Sequence, residues 1–116
     1  MHQPFKITAK LQIEKNGSCF LNEKRVELLR RIDSCGSILS ASKEMRMSYQ
    51  QAWTIIKELN AISPLPVVMR QRGGVHGGGA VVSKFGLRLI EQFDKMKRQH
   101  NNYLSQMEDD ILSCFI

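Results

Sequence analysis

The sequence has little cysteine and little histidine, with three residues of each among 116. The cysteines are Cys19, Cys35 and Cys114. Because they are widely spaced and form no Cys-x-x-Cys pair, neither a disulfide framework nor a zinc finger is supported, and we expect reduced, mostly buried thiols. The histidines are equally scattered and lack acidic partners at ligand spacing. The sequence therefore predicts no metal site.

Long apolar runs are missing too. Nowhere do eighteen apolar residues follow one another, and residues 1–10 lack the continuous apolar stretch of a secretory signal. These absences predict a cytoplasmic protein without a membrane partner.

Sequence motifs for catalysis are also absent. The glycine-rich segment 73–79 is followed by Ala80-Val81-Val82, which has the pattern of a strand, whereas a Walker-type phosphate loop needs Gly-Lys-Ser or Gly-Lys-Thr at the start of a helix. There is no Gly-x-Ser-x-Gly elbow, and no acidic pair or His and Cys arrangement has catalytic spacing. The sequence therefore predicts a protein that is not an enzyme and that uses no cofactor.

What the sequence does contain is the composition of one ordinary, basic globular domain. Apolar residues make up 42% of the chain and charged residues 24%, and 17 Lys and Arg against 11 Asp and Glu give a net charge of +6. A chain of this length forms one domain with a modest core. We therefore assign residues 1–116 to a single domain.

Local patterns in the first half predict a strand and three helices. Apolar and polar residues alternate from Phe5 to Glu14, within an N-terminal strand region over 1–21, and Asn16-Gly17 closes the strand. Helical spacing of apolar residues predicts helices within 22–66, and their expected N-caps are Asn22, Ser37 and Ser48. Only about three residues separate the second helix from the third. This close spacing predicts a helix-turn-helix over 37–60.

The second half predicts a glycine-tipped hairpin and one long helix. Residues 67–83 contain two strand patterns around the glycine-rich segment, and we call this predicted hairpin the wing. A helix over 84–110 follows, and apolar residues recur along it at alternating spacings of four and three. This heptad pattern predicts a homodimer. Its residues are Leu89, Phe93, Met96, His100, Tyr103 and Met107. Residues 111–116 form an apolar tail.

The order of these elements is that of the winged helix-turn-helix, a mainly α fold with a small β component. In the third helix, a step of 100° per residue places Gln50, Thr54 and Lys57 opposite the apolar stripe. A polar outer face of this kind suits a helix that reads the major groove.

Short motifs along the chain resemble the N-terminal domain of ModE-type molybdate-responsive regulators. The resemblance covers roughly residues 5–107. The motifs are Gly36-Ser37-Ile38, Ser48-Tyr49 with Ala52-Trp53, Glu58-Leu59-Asn60, Gly77-Gly78-Gly79-Ala80-Val81 and Phe85-Gly86-x-Arg88-Leu89-Ile90. The sequence departs from the family at Arg46, where the turn usually has glycine, and at Val75-His76, where the wing tends to carry a lysine.

The resemblance implies a dimer formed through the N-terminal strand region and the long helix. It also implies binding to an operator near molybdate-transport genes. Full-length members sense molybdate in a C-terminal pair of small barrel domains. Because this chain stops at Ile116, we expect that it does not bind molybdate.

The candidate DNA-binding residues fall into two groups. Gln50, Thr54 and Lys57 are predicted to contact bases, and Lys43, Arg70 and Arg72 to contact phosphates. The further candidates are Ser48, Tyr49, Trp53, Arg46 and His76. For Trp53 and Tyr49 two interpretations stay open, packing within the domain or contact with the DNA backbone.

The sequence thus predicts a dimeric, sequence-specific transcriptional regulator whose partners are double-stranded DNA and a second copy of itself. The alternative is a protein-interaction module with the same fold. In that case the chain uses its last helix and the apolar tail to form a heterodimer with a longer regulator.

Overall fold

The structure is a computed structural model that describes residues 4–71 and 79–116. It confirms the predicted fold class, with four helices and two small antiparallel sheets in these two ranges. The elements in chain order are β1 (Ile13–Lys15), β2 (Ser18–Leu21), α1 (Glu23–Cys35), α2 (Ile38–Glu44), α3 (Tyr49–Ile62), β3 (Val68–Gln71), β4 (Gly79–Val82) and α4 (Lys84–Ser113).

The N-terminal strand is shorter than its alternating pattern suggests. β1 begins at Ile13 rather than Phe5 and forms a hairpin with β2. Asn16 and Gly17 both have positive φ, as a tight hairpin turn requires. Among the described residues no strand pairs with residues 5–12, and the Ile7 N–H donates instead to Glu108 Oε2 on α4 at 2.7 Å. A strand needs a pairing partner as well as alternation, and sequence alone does not show where that partner lies.

The helix ends follow the predicted caps. Asn22, Ser37 and Ser48 each accept a hydrogen bond from the backbone N–H three residues further on. Gly36 ends α1 with φ of 70°, and its carbonyl accepts from the Ala80 N–H of β4 at 2.9 Å. This bond ties the second strand of the wing to the corner between α1 and α2.

One core joins the helices to β3 and β4. It contains the buried faces of α1 and α3, the start of β3 and part of α4. The largest fully buried side chains are Phe93, Leu21, Leu28, Leu29, Ile32, Ile56 and Leu59. Packing these side chains together fixes α3 against α1, α2 and the sheet that leads into the wing.

The predicted burial of the cysteines is wrong. Cys19 is half-buried, and Cys35 and Cys114 are exposed. Cys35 is the last residue of α1, where the helix leaves the core, and its Sγ lies 3.3 Å from the Ser37 carbonyl. The apolar spacing of α1 continues to Cys35, although the core ends at Ile32.

The first half of helix α4 packs against the core through Gly86 and Phe93, and its second half is mostly exposed. Arg30 of α1 pairs with Asp94, and Lys97 pairs with Glu23 at 2.6 Å. Burial lowers the pKa of Arg30, but hydrogen bonds and charge from Asp94 and Glu27 outweigh burial, so this pKa is raised and the guanidinium stays charged. Beyond Lys97, α4 extends away from the core. No helix of the described residues is long and apolar enough to span a membrane.

Gly86 allows α4 to start directly against the sheet. A Cβ on this residue would lie 2.6 Å from the Val67 carbonyl oxygen and 2.7 Å from Val82 Cγ1. Both distances are shorter than van der Waals contact, so any side chain would push α4 away from β3 and β4.

We therefore expect Gly86→Ala to destabilise the protein by about 1–3 kcal/mol, although alanine normally favours a helix. Thermal unfolding measures this as a lower Tm. Ser105→Ala, at an exposed position of the same helix, is the matched control and should leave the Tm nearly unchanged. A Tm for Gly86→Ala at or above that of the control would contradict the proposed close contact.

Candidate nucleic-acid interface

The outer face of α3 is polar and open to solvent. Ala52, Ile56 and Leu59 are buried on its inner face, whereas Gln50, Thr54 and Lys57 are exposed. The Thr54 hydroxyl donates to the Gln50 carbonyl at 2.9 Å, so its oxygen remains free to accept a hydrogen bond. The Gln50 amide and the Lys57 ammonium add donors and one positive charge. This face can contact base edges that present both acceptors and donors.

The first turn of α3 is fixed by a capping box. The Ser48 hydroxyl accepts from the Gln51 N–H at 3.0 Å, and the Gln51 side-chain oxygen accepts from the Ser48 N–H at 3.1 Å. Ser48, a predicted DNA contact, therefore already has a structural role. The box holds Tyr49 and Gln50 in helical geometry from the first residue of α3.

The turn before α3 carries two exposed cations. Lys43 lies in the last turn of α2, and Arg46 follows with φ of 55°, in the left-handed region that favours glycine. The Met47 N–H donates to the Ser42 carbonyl at 3.0 Å and closes this turn. The fold thus accepts backbone strain on the order of 1–2 kcal/mol at Arg46 and retains a guanidinium there.

Arg70 of β3 contacts two aromatic residues of α3. Its guanidinium carbon lies 4.2 Å from the centroid of the Trp53 ring, and its Nη2 donates to the Tyr49 hydroxyl at 2.9 Å. Trp53 is half-buried and packs against the core, and Tyr49 is 41% exposed. Both aromatic residues of α3 therefore contact a cation that belongs to a different element, β3.

Asn60 is not among the residues predicted for the site, but it connects α3 to β3. Its Oδ1 accepts from the backbone N–H groups of Val67 and Val68 at 2.8 and 3.2 Å, and its Nδ2 donates to the Val68 carbonyl at 3.0 Å. These three bonds fix β3 to α3. The motif Glu58-Leu59-Asn60 contains this residue, but the motif does not reveal that β3 is its partner.

β3 and β4 lie at the two ends of the predicted wing. They pair in antiparallel register, with Arg70 opposite Ala80 and Gln71 opposite Gly79. Two candidates, Arg72 and His76, lie outside the described residues, as does the rest of the glycine-rich segment before Gly79. The described residues contain no cluster of His, Cys, Asp and Glu that could hold a metal ion.

Comparison with known proteins relates the chain to bacterial regulators. No protein-family model matches it. It is 35% identical over 100 residues to the transcriptional regulator ModE of Haemophilus influenzae, with 86% of the chain and 39% of that protein covered. It is 36% identical over 104 residues to the DNA-binding transcriptional dual regulator ModE of Escherichia coli K12, with 90% and 38% covered. The chain thus spans about two fifths of the length of these relatives.

A solved structure is similar in fold. The chain matches a variant of ZitR from Lactococcus lactis, a winged-helix regulator, with a TM-score of 0.51 over 97% of this chain and 82% of that one. The sequence identity is 11%, so this likeness shows the fold alone.

The backbone strain at Arg46 predicts how a substitution there changes the stability of the protein without DNA. Arg46→Gly should raise the free energy of unfolding by about 1 kcal/mol, because glycine adopts the left-handed conformation without steric cost. Urea denaturation measures the change. Arg46→Ala is the control, since it removes the charge and keeps the strain. Equal stabilisation by both variants would show that charge repulsion, rather than backbone strain, destabilises this turn.

Proposed function

Because the chain is a homologue of ModE transcriptional regulators over about 38% of their length, we propose that it is a sequence-specific DNA-binding regulator that acts as a dimer. The observation that carries this proposal is the exposed polar face of α3 beside a group of cations from α2, the turn and β3. A basic net charge of +6 favours binding to a polyanion.

In the proposed complex α3 lies in the major groove. Glutamine can form two hydrogen bonds with adenine, lysine can donate to the O6 and N7 atoms of guanine, and each such contact discriminates by about 1–3 kcal/mol. Gln50 and Lys57 are separated by seven residues, or two helical turns, and therefore share one face of α3. Thr54 lies between them and accepts a hydrogen bond or contacts a thymine methyl group.

The cations around α3 position it on the phosphate backbone. Lys43 and Arg46 lie before the helix, and Arg70 lies beside its first turn. Contacts with phosphates carry no sequence information directly, but they fix the register and depth of the helix. In the proposed complex Arg72 and His76 of the wing contact the backbone or the minor groove.

The proposed dimer forms through the second half of α4. Phe93 is 1% exposed within one chain and Leu89 packs against the same core, so these two predicted seam residues already stabilise the monomer. Met96 and His100 are half-buried, and Tyr103 and Met107 are exposed, Tyr103 to 66%. The surface available to a second chain is therefore the part of the heptad pattern beyond Phe93.

A second candidate function is the interaction module that binds a longer regulator. The observation that favours it is the exposure of Ile111 and Phe115 at the end of α4, where Phe115 is 71% exposed although its ring stacks on Phe5. Binding to another protein through the end of α4 would not require a polar face on α3 or several cations beside it. We therefore place it second.

Base reading by α3 is tested by selection of binding sites from a pool of random duplexes at near-physiological salt. Gln50→Ala and Lys57→Ala should each relax the selected sequence at one or two base pairs and leave non-specific binding nearly intact. Lys43→Ala should weaken all sequences alike and reduce the salt dependence by about one unit. Lys95→Ala, which removes a charge from α4, is the control. Unchanged selectivity in both α3 variants would contradict base reading by this helix.

The proposed dimer is tested by sedimentation at micromolar concentration. The natural chain should sediment as a dimer, and Tyr103→Asp should shift it towards monomer because a charge would be buried in the interface. Position 103 is exposed in one chain, so this change spares the core, whereas Phe93→Asp would unfold it. Asn102→Asp adds the same charge next to position 103 and should leave the dimer intact. A monomeric natural chain would rule out this interface.

A further inference from the structure

Arg70 is held by two side chains in the free protein. Trp53 and Tyr49 are four residues apart in α3 and therefore share a face, and Arg70 reaches this face from β3. The indole provides a surface for the planar guanidinium, with 4.2 Å between the guanidinium carbon and the ring centroid. The Tyr49 hydroxyl provides an acceptor at 2.9 Å. The guanidinium thus has a defined position, although Arg70 is an exposed residue.

The hydrogen-bonding capacity of this cluster is mostly unused. A guanidinium has five N–H groups, and among the described residues the only hydrogen-bond partner of Arg70 is Tyr49. No carboxylate in the described part of the chain pairs with it, so its charge is not neutralised there. The Tyr49 oxygen accepts from Arg70, and its own proton remains free to be donated. The cluster therefore offers two kinds of donor, 2.9 Å apart, and one positive charge.

A ligand suited to these groups is a singly charged anion with several exposed oxygens. A phosphodiester has this chemistry, and guanidinium groups bind it through charge-assisted hydrogen bonds. Stacking on Trp53 also restricts the side chain before binding, so less conformational entropy is lost when the anion binds.

The cluster also has a defined place relative to the face that reads bases. Tyr49 is the first residue of α3 and directly precedes Gln50, and Asn60 fixes β3 to the same helix. An anion bound by Arg70 and Tyr49 would therefore have a constant distance to the outer face of α3.

We propose that Tyr49 and Arg70 together bind one backbone phosphate of the DNA, and that Trp53 acts as a positioning residue that holds the guanidinium for it. This inference rests on the proposed function, since it assigns a phosphate to a protein that binds duplex DNA. It also explains why Tyr49 and the half-buried Trp53 lie next to an exposed guanidinium.

The test uses a selected duplex in which single phosphates are replaced, one at a time, by uncharged methylphosphonates. For the natural chain, replacing the contacted phosphate should weaken binding roughly tenfold, as expected for a charge-assisted hydrogen bond. Arg70→Ala should weaken binding to the unmodified duplex by a similar factor. Replacement of the contacted phosphate should then no longer change the affinity of this variant, whereas replacements at other positions should act as they do on the natural chain. Lys43→Ala is the matched control, and its affinity should still fall when that same phosphate is replaced.

Conservative substitutions distinguish the positioning of the Arg70 guanidinium from the effect of its charge alone. Arg70→Lys keeps the charge but has no planar group to stack, and it should recover only part of the affinity. Tyr49→Phe should weaken binding roughly threefold to tenfold, and this effect should shrink when Arg70 is already alanine, because both residues act on one phosphate. Trp53→Phe keeps an aromatic ring in the core-facing position. It should weaken DNA binding, but by less than Arg70→Ala does. Additive losses in the double variants would overturn the proposal.

A measurement without DNA tests the positioning directly. Trp53 is the only tryptophan of the chain, so its fluorescence reports on the stacked guanidinium. Arg70→Ala should change the emission, and Lys43→Ala should leave it unchanged. Unaltered emission in Arg70→Ala would contradict a positioning role for Trp53.

The failure of this inference can be distinguished from the failure of the proposed function. If the natural chain binds duplex DNA and no single phosphate is linked to Arg70, only the proposal for Tyr49, Trp53 and Arg70 fails. If the chain binds no duplex at any salt concentration, the proposed function fails as well.

Discussion

The burial of one face of α3 is the constraint on which the rest of the structure depends. Ala52, Ile56 and Leu59 are almost completely buried in the core that α3 shares with α1, α2 and the small sheet. Since helical geometry fixes the opposite face once one face is buried, the positions of Gln50 and Lys57 follow from the core. The capping box sets where this helix begins, and Asn60 attaches it to β3. A rigid helix of this kind can present a constant pattern of donors and acceptors to DNA.

The fold was predictable from the sequence where the signals are local. Caps at Asn22, Ser37 and Ser48 and the helical period of α3 involve residues within one or two turns, and the structure confirms them. Predictions that depend on distant parts of the chain were less successful. In the part of the chain that the structure describes, the pattern beginning at Phe5 lacks a pairing partner before Ile13, and the contacts of Arg70 with α3 join residues 17 and 21 positions apart. Neither relationship has a local signature.

Two cations beside α3 lie in settings that do not favour stability. Arg46 keeps a left-handed backbone where glycine would be relaxed, and the exposed Arg70 lies over the ring of Trp53 without a carboxylate partner among the described residues. The two halves of helix α4 have different surroundings. Its first half completes the core through Phe93 and the close contact at Gly86, and its second half leaves Tyr103 and Met107 in solvent. The first half of this helix therefore stabilises the chain itself, and in the proposed dimer the second half contacts the partner.

The central claim is that the outer face of α3 contacts DNA, and an NMR titration of the isotope-labelled chain with a duplex tests it most directly. At near-physiological salt and duplex concentrations up to about 100 μM, which reach even non-specific affinities, the account predicts the largest shifts at the amides of residues 49–57 and at the side chains of Gln50, Thr54 and Lys57. Shifts confined to the end of α4, or no shifts at all, would contradict it.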